Sequence, residues 1–244
     1  MSPVWIVSYP KSGRTWLRYV FQLTDIPTFF THAGSGSGAG DLGKLLLVPE
    51  FNLEDINGRK VIFLYRNPID VCVSLYFQIH RREFVKAGPI KGPFRRLRLS
   101  LLGRSPPKDI EGFVRSACYG VEKAARFNRY FLDALDNREE ALIVRYEELR
   151  ANPRSGLERI FRFIDADLNQ IDLDKLVEQT SFDAMRKVEM NAPRGYQLAP
   201  GNRDDAESFK VRRGKVGGYK DYLRPDTIAF AESLVREYEA QGRP

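Results

Sequence analysis

Cysteine is scarce in this sequence of 244 residues: Cys72 and Cys118 are the only two, and both lie in apolar, helix-like surroundings. Neither a disulfide framework nor a cysteine metal site is therefore expected. Histidine is equally rare, with only His32 and His80. Few side chains are thus available whose ordinary pKa lies near neutrality. Long hydrophobic runs are also missing, and none approaches the ~18 residues that a membrane-spanning helix needs. The first strand pattern starts at Val4, which leaves no room for a secretory leader. A cytoplasmic protein is the expectation.

The composition, 43% hydrophobic and 29% charged, is that of an ordinary globular chain. Residues 1–244 suit one α/β domain with ample length for a core. A net charge of +7 suits nucleic acid, a membrane surface or an acidic small molecule, so its distribution matters more than its total. The stretch Arg81–Lys108 holds nine Lys/Arg against Glu83 alone, a net of +8, and the remainder is close to neutral. Its Gly and Pro residues predict a mobile basic excursion.

Four short apolar runs, Val4–Tyr9, Thr28–Thr31, Val61–Tyr65 and Ala141–Tyr146, read as buried parallel strands. Helical patterns cover Arg14–Leu23, Pro68–Ile79 after the N-cap residue Asn67, Ile110–Leu135, a stretch opened by Asn152-Pro153, and about Asp226–Tyr238. Strands alternating with helices predict a parallel β-sheet flanked by helices on both faces. The glycine-rich stretch Thr31–Gly43 follows a strand, where α/β proteins place ligand-binding loops. No internal repeat is found.

Two strand patterns end on basic residues and pass directly into helices. In YPKSGRTW, Lys11 is followed by Ser12, Gly13, Arg14, Thr15 and Trp16. The loop is not a Walker A motif, which places its lysine after four residues and a second glycine. An early lysine suits a single phosphate-like group at a helix N-terminus; the alternative is an ordinary turn with a solvated lysine. In RNPIDVCVSLYF, Arg66 precedes a capped helix interrupted by Ser74. Arg66 either binds an anion or pairs with Asp70, and Ser74 either faces a ligand or bonds back to its own helix. A third basic group, Arg212-Arg213-Gly214, lies among glycines near the C-terminus. It suits a phosphate, or else forms a solvated loop.

Taken in order, these stretches resemble the sulfotransferases that use 3′-phosphoadenosine 5′-phosphosulfate (PAPS). YPKSGRTW is similar to that family's 5′-phosphosulfate loop, RNPIDVCVSLYF to its 3′-phosphate strand and helix, and RRGKVGGYK to its C-terminal RKGxxGDWK segment. RYEEL with the following Asn152-Pro153, and TSFDAMR from Thr180, resemble adenine-proximal segments. The resemblance spans residues 4–223 and implies a P-loop nucleotide-kinase-like fold. It implies that Lys11 binds the sulfate and bridging oxygen, while Ser12, Gly13, Arg14 and Thr15 donate to the 5′-phosphate. Trp16 would stack on adenine in a pocket with Tyr146, Thr180 and Phe182. Arg66, Ser74, Arg212, Arg213 and Gly214 would hold the 3′-phosphate. Arg14, Gly218 and Tyr219 depart from the family pattern.

The same resemblance implies in-line sulfuryl transfer without a metal, with Lys11 stabilising the leaving oxygen and Ser74 restraining Lys11. His32, in FFTHAG, is the expected base, with Asp41 and Glu50 in reserve; His80 is expected to cap a helix end. The expected acceptor is a small molecule, lipid or carbohydrate, with an anionic acceptor or an anionic membrane suggested by the +8 stretch. A nucleotide or small-molecule kinase is the rival enzyme class. Nucleic-acid or membrane-surface binding is the rival outside enzymes. Phe84 and Phe94 are the only aromatics of the basic stretch, so nucleic acid is not expected.

Overall fold

The computed structural model describes residues 3–33, 58–83, 88–101, 103–193 and 200–240. Its centre is a four-stranded parallel sheet of β1 (Val4–Val7), β2 (Thr28–Thr31), β3 (Val61–Tyr65) and β4 (Ala141–Arg145), in the order β2-β1-β3-β4. Ile6 pairs with Phe30 on one side and Ile62 on the other, and Leu64 pairs with Val144. Side chains alternate between the faces of a strand. Val61 and Phe63 accordingly join one core cluster, Ile62 and Leu64 the other.

Helix α1 (Arg14–Leu23) packs Leu17, Val20 and Phe21 into the cluster of Ile62 and Leu64. Helix α2 (Pro68–Phe77) places Val71, Cys72 and Leu75 in the opposite one. Both faces of the sheet are therefore covered, as a parallel sheet with near-continuous apolar strands requires. From β1 the chain crosses to β2 on one side and then returns to β3 on the other side of β1. Connections leaving the carboxyl ends of β1 and β3 consequently diverge, and such a switch point opens a crevice.

One sequence expectation is corrected. The pattern Ile110–Leu135 is not one helix but α4 (Ile110–Arg115) and α5 (Val121–Leu135). Ser116 adopts extended backbone, and buried Tyr119 stacks on Phe113 with its hydroxyl donating to the Arg104 carbonyl at 2.5 Å. Apolar spacing is preserved through the break, so periodicity alone does not reveal it. The basic excursion is largely helical: a π-helical turn covers Gln78–Glu83, and α3 covers Gly88–Leu101 with Pro93 inside. Pro89 sits in the first turn, where N–H groups have no intrahelical partner anyway, so only Pro93 removes a helix bond. Leu99 then anchors α3 to the core.

The remaining helices are α6 (Tyr146–Ala151), α7 (Pro153–Phe163), α8 (Leu173–Gln179), α9 (Phe182–Asn191) and α10 (Pro225–Ala240). Among the described residues no helix is long and apolar enough to cross a membrane.

Candidate functional site

At the switch point lies a cavity of about 450 Å³, walled by the β1–α1 loop, α2, the N-terminal ends of α6 and α9, and residues 210–218. The loop after β1 turns twice through left-handed backbone, at Lys11 (φ 75°) and Gly13 (φ 102°). A Cβ on Gly13 would lie 2.5 Å from the Tyr146 ring, so glycine is required by both conformation and space. Helix α1 begins immediately afterwards, with no side-chain cap and no acidic residue in its first turn. Its first N–H groups and positive dipole end thus remain available for an anion.

Lys11 reaches across the cavity to the π-helical turn after α2, where its Nζ donates to Gln78 Oε1 at 3.0 Å. Gln78 Nε2 in turn donates to Glu83 Oε1. Burial lowers the Lys11 pKa to about 7, and Lys210, Arg82 and Arg212 add to that shift while Glu189 opposes it. An ammonium surrounded by cations is a strong point of attraction for an anion. Ser74 lines the same wall one turn before Gln78, on the same helix face. The family resemblance implies that Ser74 restrains Lys11; here the ammonium bonds Gln78, one turn further on.

Arg66 leaves β3 beneath this loop. Asn67 fixes its exit by accepting from the Ile69 and Asp70 amides at 2.9 and 3.3 Å. The Arg66 guanidinium donates to the carbonyls of Lys11 (3.4 Å) and Lys215 (3.1 Å) and lies 4.5 Å from the Tyr146 ring centroid. It approaches Asp70 at 3.6 Å, while Asp70 accepts from the Gly217 and Tyr219 amides at 2.8 and 3.1 Å. Of the two readings of Arg66, the pairing with Asp70 is thus present, within a network that also reaches Lys11 and Lys215. Arg66 Nε and Ser12 Oγ are buried with no hydrogen-bond partner.

The C-terminal basic group closes the site. Arg212 donates to Glu207 at 2.8 Å and to the Tyr222 hydroxyl, and covers the Phe77 ring at 4.4 Å. Arg213 pairs with Asp221 at 3.1 Å. Gly214 has φ 61°, and a Cβ there would lie 2.7 Å from the Phe182 ring, so backbone and aromatic meet face to face. Gly218 and Tyr219, the departures from the family pattern, leave this segment closed: Tyr219 is buried and its hydroxyl donates to Glu232 at 2.8 Å.

A buried ion pair that the sequence did not reveal holds this segment from behind. The Glu189 carboxylate accepts from the amides of Lys210 (2.6 Å) and Val211 (2.7 Å), and from Arg82 Nη1 (3.3 Å). Arg82 also donates to the Ser208 carbonyl at 3.3 Å.

Lys11, Gly13, Arg14, Thr15, Trp16 and His32 reach the cavity from the β1 and β2 ends. Arg66, Ser74, Tyr146 and Phe182 reach it from the middle, and Arg212, Arg213 and Gly214 from the last segment. Two expected residues do not line it. Ser12 is fully buried behind the loop, and Thr180 turns its hydroxyl to the Leu176 carbonyl at 2.8 Å. Thr180 instead offers its carbonyl to Trp16 Nε1 at 2.8 Å, which fixes the indole edge-on to α8.

His32 follows β2, and its Nδ1 lies 2.7 Å from the Ser8 carbonyl. A carbonyl only accepts, so Nδ1 carries the proton and Nε2 keeps its lone pair. Burial, followed by Arg14, lowers the His32 pKa to about 3, and the ring is neutral at physiological pH. His80 lies in the last turn of the π-helical segment, as its place in the sequence predicts, and packs between Tyr76 and Phe113. Asp41 and Glu50 lie outside the described residues, as does most of Thr31–Gly43.

A sequence model of the sulfotransferase domain matches residues 53–241. The chain belongs to the sulfotransferase domain family. Cytosolic sulfotransferase 10 of Arabidopsis thaliana is 26% identical over 187 residues, covering 73% of this chain and 49% of that protein. Human sulfotransferase 2B1 is 25% identical over 268 residues, covering 98% of this chain and 66% of that protein. The alignment thus spans about half the length of the Arabidopsis relative. The fold is shared with mouse sulfotransferase SULT7A1, solved in complex with PAP, at a TM-score of 0.60 and 18% identity over 98% of this chain and 84% of that one. The sulfotransferase match contains Arg66, Ser74 and Arg212 but begins after Lys11. The loop's place in the site rests on the sheet order.

Proposed function

We propose that this chain transfers the sulfuryl group of PAPS to a hydroxyl or amine of a small-molecule, lipid or carbohydrate acceptor. The observation that carries this reading is the convergence of Lys11, Arg66 and the 210–215 segment on one cavity at the β1/β3 switch point. Membership of the sulfotransferase domain family supports the reaction class. The donor atoms fit a bisphosphorylated nucleotide. An uncapped helix N-terminus suits one phosphate, and the unpartnered Arg66 Nε adds a donor for a second.

Gly13, Arg14 and Thr15 supply loop and helix N–H groups to the 5′-phosphosulfate. Arg66, Ser74, Arg212, Arg213 and the Gly214 amide hold the 3′-phosphate, while Trp16, Tyr146 and Phe182 form the aromatic walls for adenine. In the transfer, the acceptor oxygen or nitrogen attacks sulfur, and the bond to the bridging oxygen breaks with its electron pair leaving on adenosine 3′,5′-bisphosphate (PAP). Lys11 stabilises that developing charge. His32 takes the acceptor proton at Nε2, and the sulfate's negative charge raises its basicity when the donor is bound. The +8 stretch favours an anionic acceptor or an anionic membrane that holds one.

The test is calorimetry of PAP with wild-type protein and Arg66→Ala, followed by an acceptor screen with labelled PAPS. Losing a charge-assisted contact costs about 1.5–3 kcal/mol, or about one to two decades of affinity. Unchanged PAP affinity in a folded Arg66→Ala variant would defeat the assignment.

A further inference from the structure

We infer that α3 is an interfacial helix that docks the protein on an anionic lipid bilayer through Phe94, Leu97 and Leu101. These three are the most exposed large hydrophobic residues among those described, at 69%, 57% and 79%. They stand at positions i, i+3 and i+7 of one helix, so they form a single outward stripe. The other large exposed hydrophobics, such as Phe29 and Met190, are scattered over separate elements.

The stripe is built on a fixed support. Leu99, on the opposite side of α3, is buried in the core. The helix ends where the amides of Gly103 and Arg104 return to the carbonyls of Ser100 (2.9 Å) and Leu99 (2.8 Å), and Tyr119 then ties down the Arg104 carbonyl. An apolar face directed away from its own core needs another partner.

Charge selects that partner. Arg98 flanks the stripe and Arg104 follows it, both exposed. The surrounding Arg81–Lys108 segment carries nine cations against one anion. An apolar stripe within a cationic surround matches an interface that is negative at the headgroups and apolar beneath. A second copy of the chain would bring a like-charged segment against this one. At 14 residues α3 cannot span a bilayer, so it lies in the interface plane.

The helix is also tethered to the site. Glu83 lines the cavity, and α3 begins five residues later, a reach of at most about 18 Å. Docking would hold the lipid surface against the segment that leaves the cavity wall, where a bilayer-borne acceptor would be presented. This deepens the acceptor side of the proposed function, but does not depend on the donor assignment.

The test is co-sedimentation of the full chain with phosphatidylcholine vesicles, with and without phosphatidylserine, alongside PAP calorimetry on the same samples. The expected result is salt-sensitive binding to the phosphatidylserine vesicles alone. Phe94→Ser/Leu97→Ser/Leu101→Ser and Arg98→Ser/Arg104→Ser should each weaken it at least about tenfold while PAP affinity stays unchanged. Wild-type protein that stays in the supernatant overturns the proposal. So does self-association without vesicles that the triple variant abolishes, or binding to mixed-sequence DNA in preference to vesicles. Vesicle binding by a chain that does not bind PAP supports the docking surface and overturns the donor assignment alone.

Discussion

Replacing Glu189 with alanine should uncouple the nucleotide's 3′ side from its 5′ side. In the folded chain this buried carboxylate ties down the amides of Lys210 and Val211 and neutralises Arg82. Its removal strips the buried Arg82 guanidinium of its hydrogen-bonded carboxylate, leaving the Glu83 charge nearby, and breaking such a pair costs about 3–5 kcal/mol. At about 2–4 °C per kcal/mol for a chain of this size, Tm should fall on the order of 10 °C. Freed from their anchor, residues 210–211 no longer fix Arg212 and Arg213, so PAP affinity should fall by about one to two decades. Adenosine 5′-phosphosulfate lacks the 3′-phosphate, and its affinity should change far less. A second variant, Arg82→Met with Glu189→Met, removes both buried charges and should recover much of the stability. It does not restore the two amide ties, so PAP affinity should remain low. Calorimetry with both nucleotides and thermal melts of all three proteins provide the measurements. Equal losses for the two nucleotides, or PAP affinity that recovers together with Tm, would refute the positioning role.

Lys11 should make donor binding pH-dependent. Its pKa in the free protein is lowered to about 7, and a bound anion raises it. Affinity for PAP should therefore hold near pH 7 and decline between about pH 7 and 9, with Lys11→Gln flattening that slope in calorimetry. His32→Ala should keep PAP affinity and lose roughly two to four decades of turnover; a wild-type rate in single-turnover assays would make His32 structural. Gly13→Ala forces a side chain into left-handed backbone and the Tyr146 ring. Its Tm and PAP affinity should both fall, and adding Tyr146→Ala should relieve only the steric share.

The sheet and the basic residues that gather at its carboxyl end were legible because their signals are local. Lys11 and Arg66 each sit within a few residues of an apolar strand run, and parallel strands end on the same side of a sheet. Gln78 was within reach of the same reasoning, as a polar residue one turn beyond Ser74 on an otherwise apolar helix. The Arg82–Glu189 pair was not, since 107 residues separate its members and each alone resembles a surface charge. That Thr180 does not line the cavity was hidden for a related reason. Motif order puts it beside adenine, but its hydroxyl had a nearer partner in its own helix. Helix α3 was hidden by proline and glycine, whose cost depends on their position within a turn.

The arginines proposed to hold the 3′-phosphate, and Lys215 beside them, are already engaged: Arg212 by Glu207, Arg213 and Lys215 by Asp221. The lysine's hydrogen bond, more than any other interaction, holds the Asp221 pKa below the usual carboxylate range, so this acid remains ionised as a competitor. Binding here is thus an exchange of anions rather than the filling of a bare positive hole. Chloride or inorganic sulfate offers these residues little beyond the carboxylates they would surrender. A nucleotide held simultaneously at both phosphates presents its second anion at high effective concentration and displaces them. The built-in acids therefore act as a toll against simple salts, and competition titrations at constant ionic strength should find sulfate a far weaker rival of PAP than its charge alone suggests.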